Sequence, residues 1–263
     1  MSYKDLFKSF RFALSFKKLL ILYPLSALFF LLYLNFDYLT LTIFIIYYFF
    51  SKILISKLTY EQIKGDYFYE LKRAFKFSIK GILKYIGFII IFVILAIFIL
   101  LIIYTLIFIS KIHNILLYIS FPLLLIFTIL LFYLIIGLIV SESVGISAIS
   151  TQNYDSFDII FESFSMFNNQ LHRLISYKLI SIISAIFGGF IFFIVLYLII
   201  QFLNQFLSLN ELHILYILTY LFALSYSFSI LFISDLIGYL VLVYKRDNVD
   251  ISKLEPEIYS QRT

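Results

Sequence analysis

Asp235 is an acidic residue well inside an apolar stretch of the chain. It lies nine residues before Tyr244, which is roughly 13 Å along a helix. An ionisable side chain inside a membrane helix is expensive to bury and is by default a functional candidate. Two plainer interpretations are that a long, tilted helix leaves Asp235 near the inner membrane surface, and that Asp235 pairs with Lys178.

Small and hydroxyl-bearing residues recur at helical spacing around this acid. Ser227, Ser234 and Gly238 share one face of the same predicted helix. The preceding apolar stretch has a comparable face, formed by Ser181, Ala185, Gly188 and Gly189. Such faces usually let membrane helices pack closely, and a substrate path lined by hydroxyl groups is the alternative.

Polar residues between the apolar stretches could also carry chemistry. The candidates on the predicted cytoplasmic face are Glu142, Asp155, Asp158 and Arg173. They follow no known catalytic spacing, and the chain has no phosphate-binding glycine loop, nucleophile elbow or HExxH helix. The chain contains no cysteine, and its three histidines are scattered, at positions 113, 172 and 213. We therefore expect no catalytic residues, no metal and no cofactor.

The overall composition indicates which solvent surrounds these residues. Hydrophobic residues make up 63% of the 263 positions and charged residues 13%, and the mean hydropathy is +1.06. A soluble domain is about 45–50% apolar and about 25% charged. The sequence therefore predicts an all-α integral membrane protein, with the whole chain, 1–263, forming one polytopic domain.

Six stretches approach the length of about 20 apolar residues that a membrane-spanning helix needs. Their approximate ranges are 19–35, 38–55, 85–110, 115–140, 179–203 and 212–243. All of the 20 Lys and Arg residues except Lys111 lie before the first span, in the segments 52–84 and 141–178, or after Tyr244. Positive charge stays on the cytoplasmic side, so both termini are expected there.

Three segments that lead into spans read as amphipathic helices lying along the inner membrane surface. Their approximate ranges are 4–17, 60–82 and 156–175, and each combines phenylalanines with polar or basic residues. The three could be copies of one repeated unit of interfacial helix plus hairpin. Chance similarity between short helices that precede spans is the other explanation.

Several motifs carry a resemblance to a known group of proteins. They are Ala148-Ile149-Ser150, Asp155-Ser156-Phe157-Asp158 with Phe164, the segment from Lys57 to Phe77, and the ending from Tyr239 to Asp247 with Asp250, Glu255 and Glu257. In these the chain resembles a family of uncharacterised six-pass bacterial inner-membrane proteins, although Ser, Ile or Phe replace that family's alanines and arginines. More loosely, it is similar to the membrane domain fused to glycerophosphodiester phosphodiesterases. The resemblance implies a topology and a bacterial inner membrane, and no activity.

Three functions remain open on this evidence. The first is a non-catalytic scaffold or subunit of a membrane complex that acts through its cytoplasmic-face helices. The second is a small transporter or permease component that uses a polar path near Asp235, and the third is a membrane-embedded lipid-modifying enzyme. The expected partners are membrane lipids, anionic ones at the cytoplasmic face, and a protein partner or a second copy of the chain. The net charge of +5 flanks apolar stretches, so we expect no nucleic-acid partner.

Overall fold

The computed structural model describes residues 6–111, 114–203 and 209–247. Within these ranges the regular structure is entirely helical. The helices are α1 (Lys8–Ala13), α2 (Phe16–Leu34), α3 (Tyr38–Ile63), α4 (Leu71–Ser110), α5 (Asn114–Gln152), α6 (Ser156–Leu203) and α7 (Leu209–Asp247). Six helices of the described chain, α2 to α7, are long and apolar enough to span a membrane. The predicted helical class is confirmed to this extent.

Helix α7 lies at the centre of the bundle. It contacts α1, α2, α3, α5 and α6, and nearly all of its residues from Ser229 to Val243 are buried. Small residues on several sides of α7, including Ser225, Ser229 and Gly238, let its neighbours approach closely. The Ser225 and Ser26 hydroxyls, for example, are hydrogen-bonded at 2.5 Å between α7 and α2.

Helices α4 and α5 instead expose most of their apolar length. Large apolar side chains on the outside of α5 extend from Tyr118 to Ile139, and those of α4 extend from Leu83 to Phe108. Apolar side chains surround both helices over these lengths, as is typical of helices that face lipid. The core of the bundle therefore lies toward the end that contains the second half of α3 and the second half of α7.

The predicted interfacial helix at 60–82 is wrong as a single element. Helix α3 continues to Ile63 and α4 begins only at Leu71. Between them Gly65 has a φ of 101°, a left-handed conformation that glycine adopts far more readily than other residues. The Asp66 carboxylate then accepts a hydrogen bond from the Phe68 N–H at 3.2 Å. Sequence periodicity continued across this turn and concealed it.

The other two predicted interfacial segments also differ from one another. The first contains the short helix α1, which is separated from α2 by Leu14 and Ser15. The third forms the start of α6, which continues past a single non-helical residue, Gln170, at φ −141° and ψ 29°. The buried Gln170 side chain donates to the Leu242 carbonyl of α7 at 3.2 Å. The three segments therefore have three different backbones, which gives no support to a structural repeat.

Asp155 and Asp158 cap the start of α6. The Asp155 carboxylate accepts hydrogen bonds from the Phe157 and Asp158 N–H groups, both at 3.0 Å. The Asp158 carboxylate in turn accepts from the Asp155 N–H at 3.1 Å. Each carboxylate therefore accepts a hydrogen bond from the backbone N–H of the other acid. The Asp158 and Phe157 N–H groups hold the pKa of the exposed Asp155 carboxyl below its usual value.

Candidate functional site: a buried cluster of four charges

Lys52 is the most deeply buried member of a cluster that joins four helices. It lies on α3 within a stretch, Ser51 to Glu61, in which every residue is buried. Its ammonium group forms ion pairs with Glu142 of α5 and, at 2.7 Å, with Asp235 of α7. It also donates to the Glu142 backbone carbonyl at 2.9 Å. All three N–H groups of Lys52 therefore have acceptors.

Glu142 connects both lysines of the cluster. One carboxylate oxygen accepts from Lys52 and, at 2.6 Å, from the Tyr48 hydroxyl one helical turn earlier on α3. The other oxygen accepts from Lys178 of α6 at 2.9 Å and from the Ser143 hydroxyl at 3.0 Å. A carboxylate offers about four acceptor positions, so the acceptor capacity of Glu142 is filled.

Asp235 and Lys178 complete the cluster. Their charged groups are 2.8 Å apart, and Asp235 also accepts from the Ser181 hydroxyl at 3.1 Å. The ion pair between Asp235 and Lys178, one of the plainer interpretations of the sequence, is therefore present. The Asp235 side chain is only 2% exposed, whereas that of Lys178 is 29% exposed. The cluster thus has one closed side and one partly open side.

The charges of the cluster balance, since two ammonium groups face two carboxylates. Burying any one of them alone would be strongly unfavourable, and a complete set with saturated hydrogen bonds offsets most of that penalty. Lys52, Glu142, Lys178 and Asp235 come from α3, α5, α6 and α7. The cluster therefore specifies how these four helices align.

The cluster lies where the exposed apolar surface of α5 ends. On α5 the exposed large apolar side chains end at Ile139, three residues before Glu142. On α6 they occur on both sides of Lys178, at Ile175 and Leu179. Glu142 thus marks a polar position close to where the exposed apolar surface of α5 stops.

Little free space adjoins the buried acid. A cavity of about 20 Å³ is lined by Ser143, Lys178, Ser234 and Asp235 together with apolar neighbours. Such a volume accommodates about one water molecule. The buried Ser234 hydroxyl has no hydrogen-bond partner among the described residues, so a water in this cavity would satisfy it.

The remaining sequence candidates are distributed elsewhere. The Ser227 hydroxyl bonds to the Ala223 carbonyl of its own helix at 3.2 Å and packs beside Gly189, so its small face serves helix packing. Arg173 is half-buried and forms no ion pair with any described residue. Asp155 and Asp158 bond to each other at the start of α6, and neither is a hydrogen-bond or ion-pair partner of Glu142 in the described part of the chain.

Glu142 was predicted together with the cytoplasmic-face residues, and the structure places it in the charge cluster. Its side chain pairs with Lys52 and Lys178 inside the bundle rather than meeting Asp155, Asp158 or Arg173. Lys52 and Tyr48 were not predicted as members of a site, and Ser181 was predicted only as part of a small-residue face. A signal was present, because Tyr48 and Lys52 are four residues apart and so share a helix face on α3.

Metal ligation finds no support in the side chains that the structure describes. No group of three or more His, Cys, Asp or Glu residues converges there. His172 and His213 are exposed on α6 and α7, and His113 lies outside the described residues. The acids of the cluster are already occupied by lysines.

Comparisons with known proteins add no relative. No protein-family model, curated protein or solved structure matches the chain. The resemblance to six-pass inner-membrane proteins therefore stays an expectation, and the functional argument depends on the geometry alone.

Proposed function

We propose that this chain is a non-catalytic multi-pass protein of the bacterial inner membrane, a scaffold or subunit of a membrane complex. Both termini lie in the cytoplasm, and the inner ends of the helices present the surface that the partner contacts. The charge distribution between the spans supports this orientation, since Lys111 is the one basic residue in the opposite connections.

The observation that carries the proposal is that the buried charges of the cluster already have partners. Lys52 and Asp235 are buried, paired with each other and held by further donors and acceptors. The adjoining cavity of about 20 Å³ is far smaller than the roughly 300–1,000 Å³ of sites that bind small molecules. The buried side of the cluster, with its hydrogen bonds saturated and so little space beside Asp235, suits a structural role better than turnover of a substrate.

The inner ends of the helices supply the contact surface. Phe68 in the α3–α4 connection is 91% exposed, and Phe161 near the start of α6 is 73% exposed. Phe161 also borders an open polar cleft lined by Glu162 and Arg246, which are ion-paired at 3.0 Å. Exposed aromatic residues and arginine are enriched in protein contact sites.

Anionic lipid is the second partner in this proposal. Lys72, Lys76 and Lys80 recur every four residues on the exposed side of α4, and so form one basic stripe at the start of that helix. Basic residues next to a membrane are each attracted to anionic lipids by about 1 kcal/mol. The stripe would hold the inner end of α4 against the membrane surface.

Site-specific photo-crosslinking in cells tests the scaffold function. A photoreactive residue at position 161 is expected to trap one reproducible partner. The same residue at position 108 should trap none; Phe108 is also exposed, but it lies at the end of α4 far from the α3–α4 connection. A Phe161→Ser variant should lose the partner during purification in mild detergent. Failure to trap any partner at Phe161 or Phe68, together with purification of the chain alone, would refute the scaffold function.

A transporter is the second candidate, because Lys178, Ser234 and Asp235 line a small cavity and the Ser234 hydroxyl has no hydrogen-bond partner among the described residues. This function requires the cluster to open during each cycle. Substrate-dependent uptake into proteoliposomes that Asp235→Asn abolishes, while the folded protein remains in the vesicle, would favour the transporter over the scaffold. The enzyme alternative draws less support, because Glu142 shares no hydrogen bond or ion pair with Asp155, Asp158 or Arg173 in the described part of the chain.

A further inference from the structure

A lateral groove opens onto the exposed side of the charge cluster. It lies among α3, α4, α5 and α6 and has a volume of about 410 Å³. Apolar side chains form its walls, among them Phe49, Ile89 and Ile139. The part of the groove lined by Glu142, Ser143 and Lys178 adjoins the charge cluster and is called its polar end; Tyr85 also lines the groove. The groove thus has the two-part character of a site for an amphiphile.

The position of the groove matches the position of a lipid in one leaflet. Its apolar wall on α5 includes Ile139, the last exposed large apolar side chain before Glu142. Its polar end coincides with the point where the lipid-facing surface of α5 stops. An acyl chain in the groove would therefore run along the apolar wall and place its headgroup at the cluster.

The hydrogen-bonding capacity at the polar end indicates which headgroup fits. Two of the three N–H groups of Lys178 are used by Glu142 and Asp235, and the third has no acceptor among the described residues. Glu142 has its acceptor positions filled, whereas the Ser143 hydroxyl donates to Glu142 and keeps acceptor capacity. The site thus offers one donor to a ligand oxygen and one weak acceptor beside it.

The charge of the cluster further limits which lipid headgroup fits the groove. Because two lysines already balance two carboxylates, a ligand with a net negative charge would leave one charge uncompensated in a partly buried place. A zwitterionic headgroup brings its own counter-charge. Its phosphate can accept the free N–H of Lys178, while its ammonium group can donate to the Ser143 hydroxyl.

We propose that the groove is a binding site for a zwitterionic glycerophospholipid, with an acyl chain along Ile139 and the phosphate on Lys178. This site is distinct from the basic stripe of α4, which attracts anionic lipid. The inference rests on the membrane placement proposed above.

The experiment compares lipid retention in nanodiscs that contain equal amounts of phosphatidylethanolamine and phosphatidylglycerol. After brief detergent exchange, mass spectrometry counts each lipid that remains on the protein. We expect phosphatidylethanolamine to be retained over phosphatidylglycerol by roughly three- to fivefold, the scale of one partly exposed charge interaction. Equal retention, or more phosphatidylglycerol, would overturn the inference.

Two variants of α5 locate the bound lipid. Ile139→Trp fills the groove with a larger side chain and should abolish the preference. Ile126→Trp is the matched control, because Ile126 is similarly exposed on the same helix and does not line the groove; it should leave the preference intact. Loss of the preference in both variants, or in neither, would contradict the assignment. A protein that does not enter the nanodisc at all would refute the membrane placement instead.

Discussion

Replacing Lys52 by methionine removes one charge from the cluster while keeping most of the side-chain volume. The change leaves Glu142 and Asp235 to share Lys178 as their one cation. The Lys52 ammonium group is fully buried, and its ion pair with Asp235 is 2.7 Å long. The variant therefore converts a neutral buried cluster into one with a net negative charge.

The expected loss of stability follows from what remains around each acid. Removing one partner of a buried ion pair typically lowers stability by about 3–5 kcal/mol. Both acids keep other donors, namely Lys178 and Ser181 for Asp235 and Lys178, Tyr48 and Ser143 for Glu142. We therefore expect a value near the lower limit, about 3 kcal/mol.

Thermal unfolding in detergent, followed by circular dichroism, measures the effect. Lys76→Met is the matched control, since Lys76 is exposed on α4, and its unfolding temperature should stay close to that of the unmodified protein. The double variant Lys52→Met with Asp235→Asn restores neutrality. Its loss should be smaller than the sum of the two single losses by about 0.5–3 kcal/mol. A Lys52→Met variant as stable as the Lys76→Met control would refute the reasoning.

Three further outcomes test other parts of the structure. Gly145→Ala would place a Cβ 2.6 Å from the Ile159 Cγ2 atom and should reduce stability by about 1–3 kcal/mol; an unchanged unfolding temperature would contradict the close packing of α5 on α6. Ser234→Ala removes a buried, unpaired hydroxyl and should leave stability unchanged or slightly raised, whereas a clear loss would indicate a missed partner. Asp155→Ala should speed hydrogen exchange at the start of α6, measured by mass spectrometry at neutral pH. Because the Asp155 carboxyl has a lowered pKa, its cap is fully present above the usual Asp range and is lost as pH falls through the lowered value. The difference in exchange rate between Asp155→Ala and the unmodified protein should therefore persist down to that range. Its disappearance at a clearly higher pH would contradict the cap.

Part of the charge cluster could be predicted from the sequence, and part could not. Asp235 and Lys178 were recognisable because each interrupts or borders a long apolar stretch. Lys52 was counted among the basic residues of a cytoplasmic segment, although it lies inside the predicted span 38–55. Helix α3 in fact continues to Ile63, which places Lys52 inside a buried helix. Glu142 was assigned to a surface for the corresponding reason, because α5 continues to Gln152.

The connections were the least predictable part of the fold. An amphipathic period continues through Gly65 and Gln170, yet the backbone turns at the first and kinks at the second. These breaks depend on tertiary contacts such as the hydrogen bond from Gln170 to α7. The apolar stretches themselves needed no such information, because the length and composition of each one suffice to predict a spanning helix.

The absence of cysteine from the chain makes single-cysteine labelling the most direct test of the membrane arrangement on which the account depends. Tyr67→Cys places the thiol in the exposed α3–α4 connection, and Lys111→Cys places it at the exposed end of α4. A membrane-impermeant maleimide should label Lys111→Cys once the outer face of the inner membrane is accessible, and Tyr67→Cys only after the inner membrane is permeabilised. Labelling of both positions from the same side would contradict a chain that crosses the membrane between them.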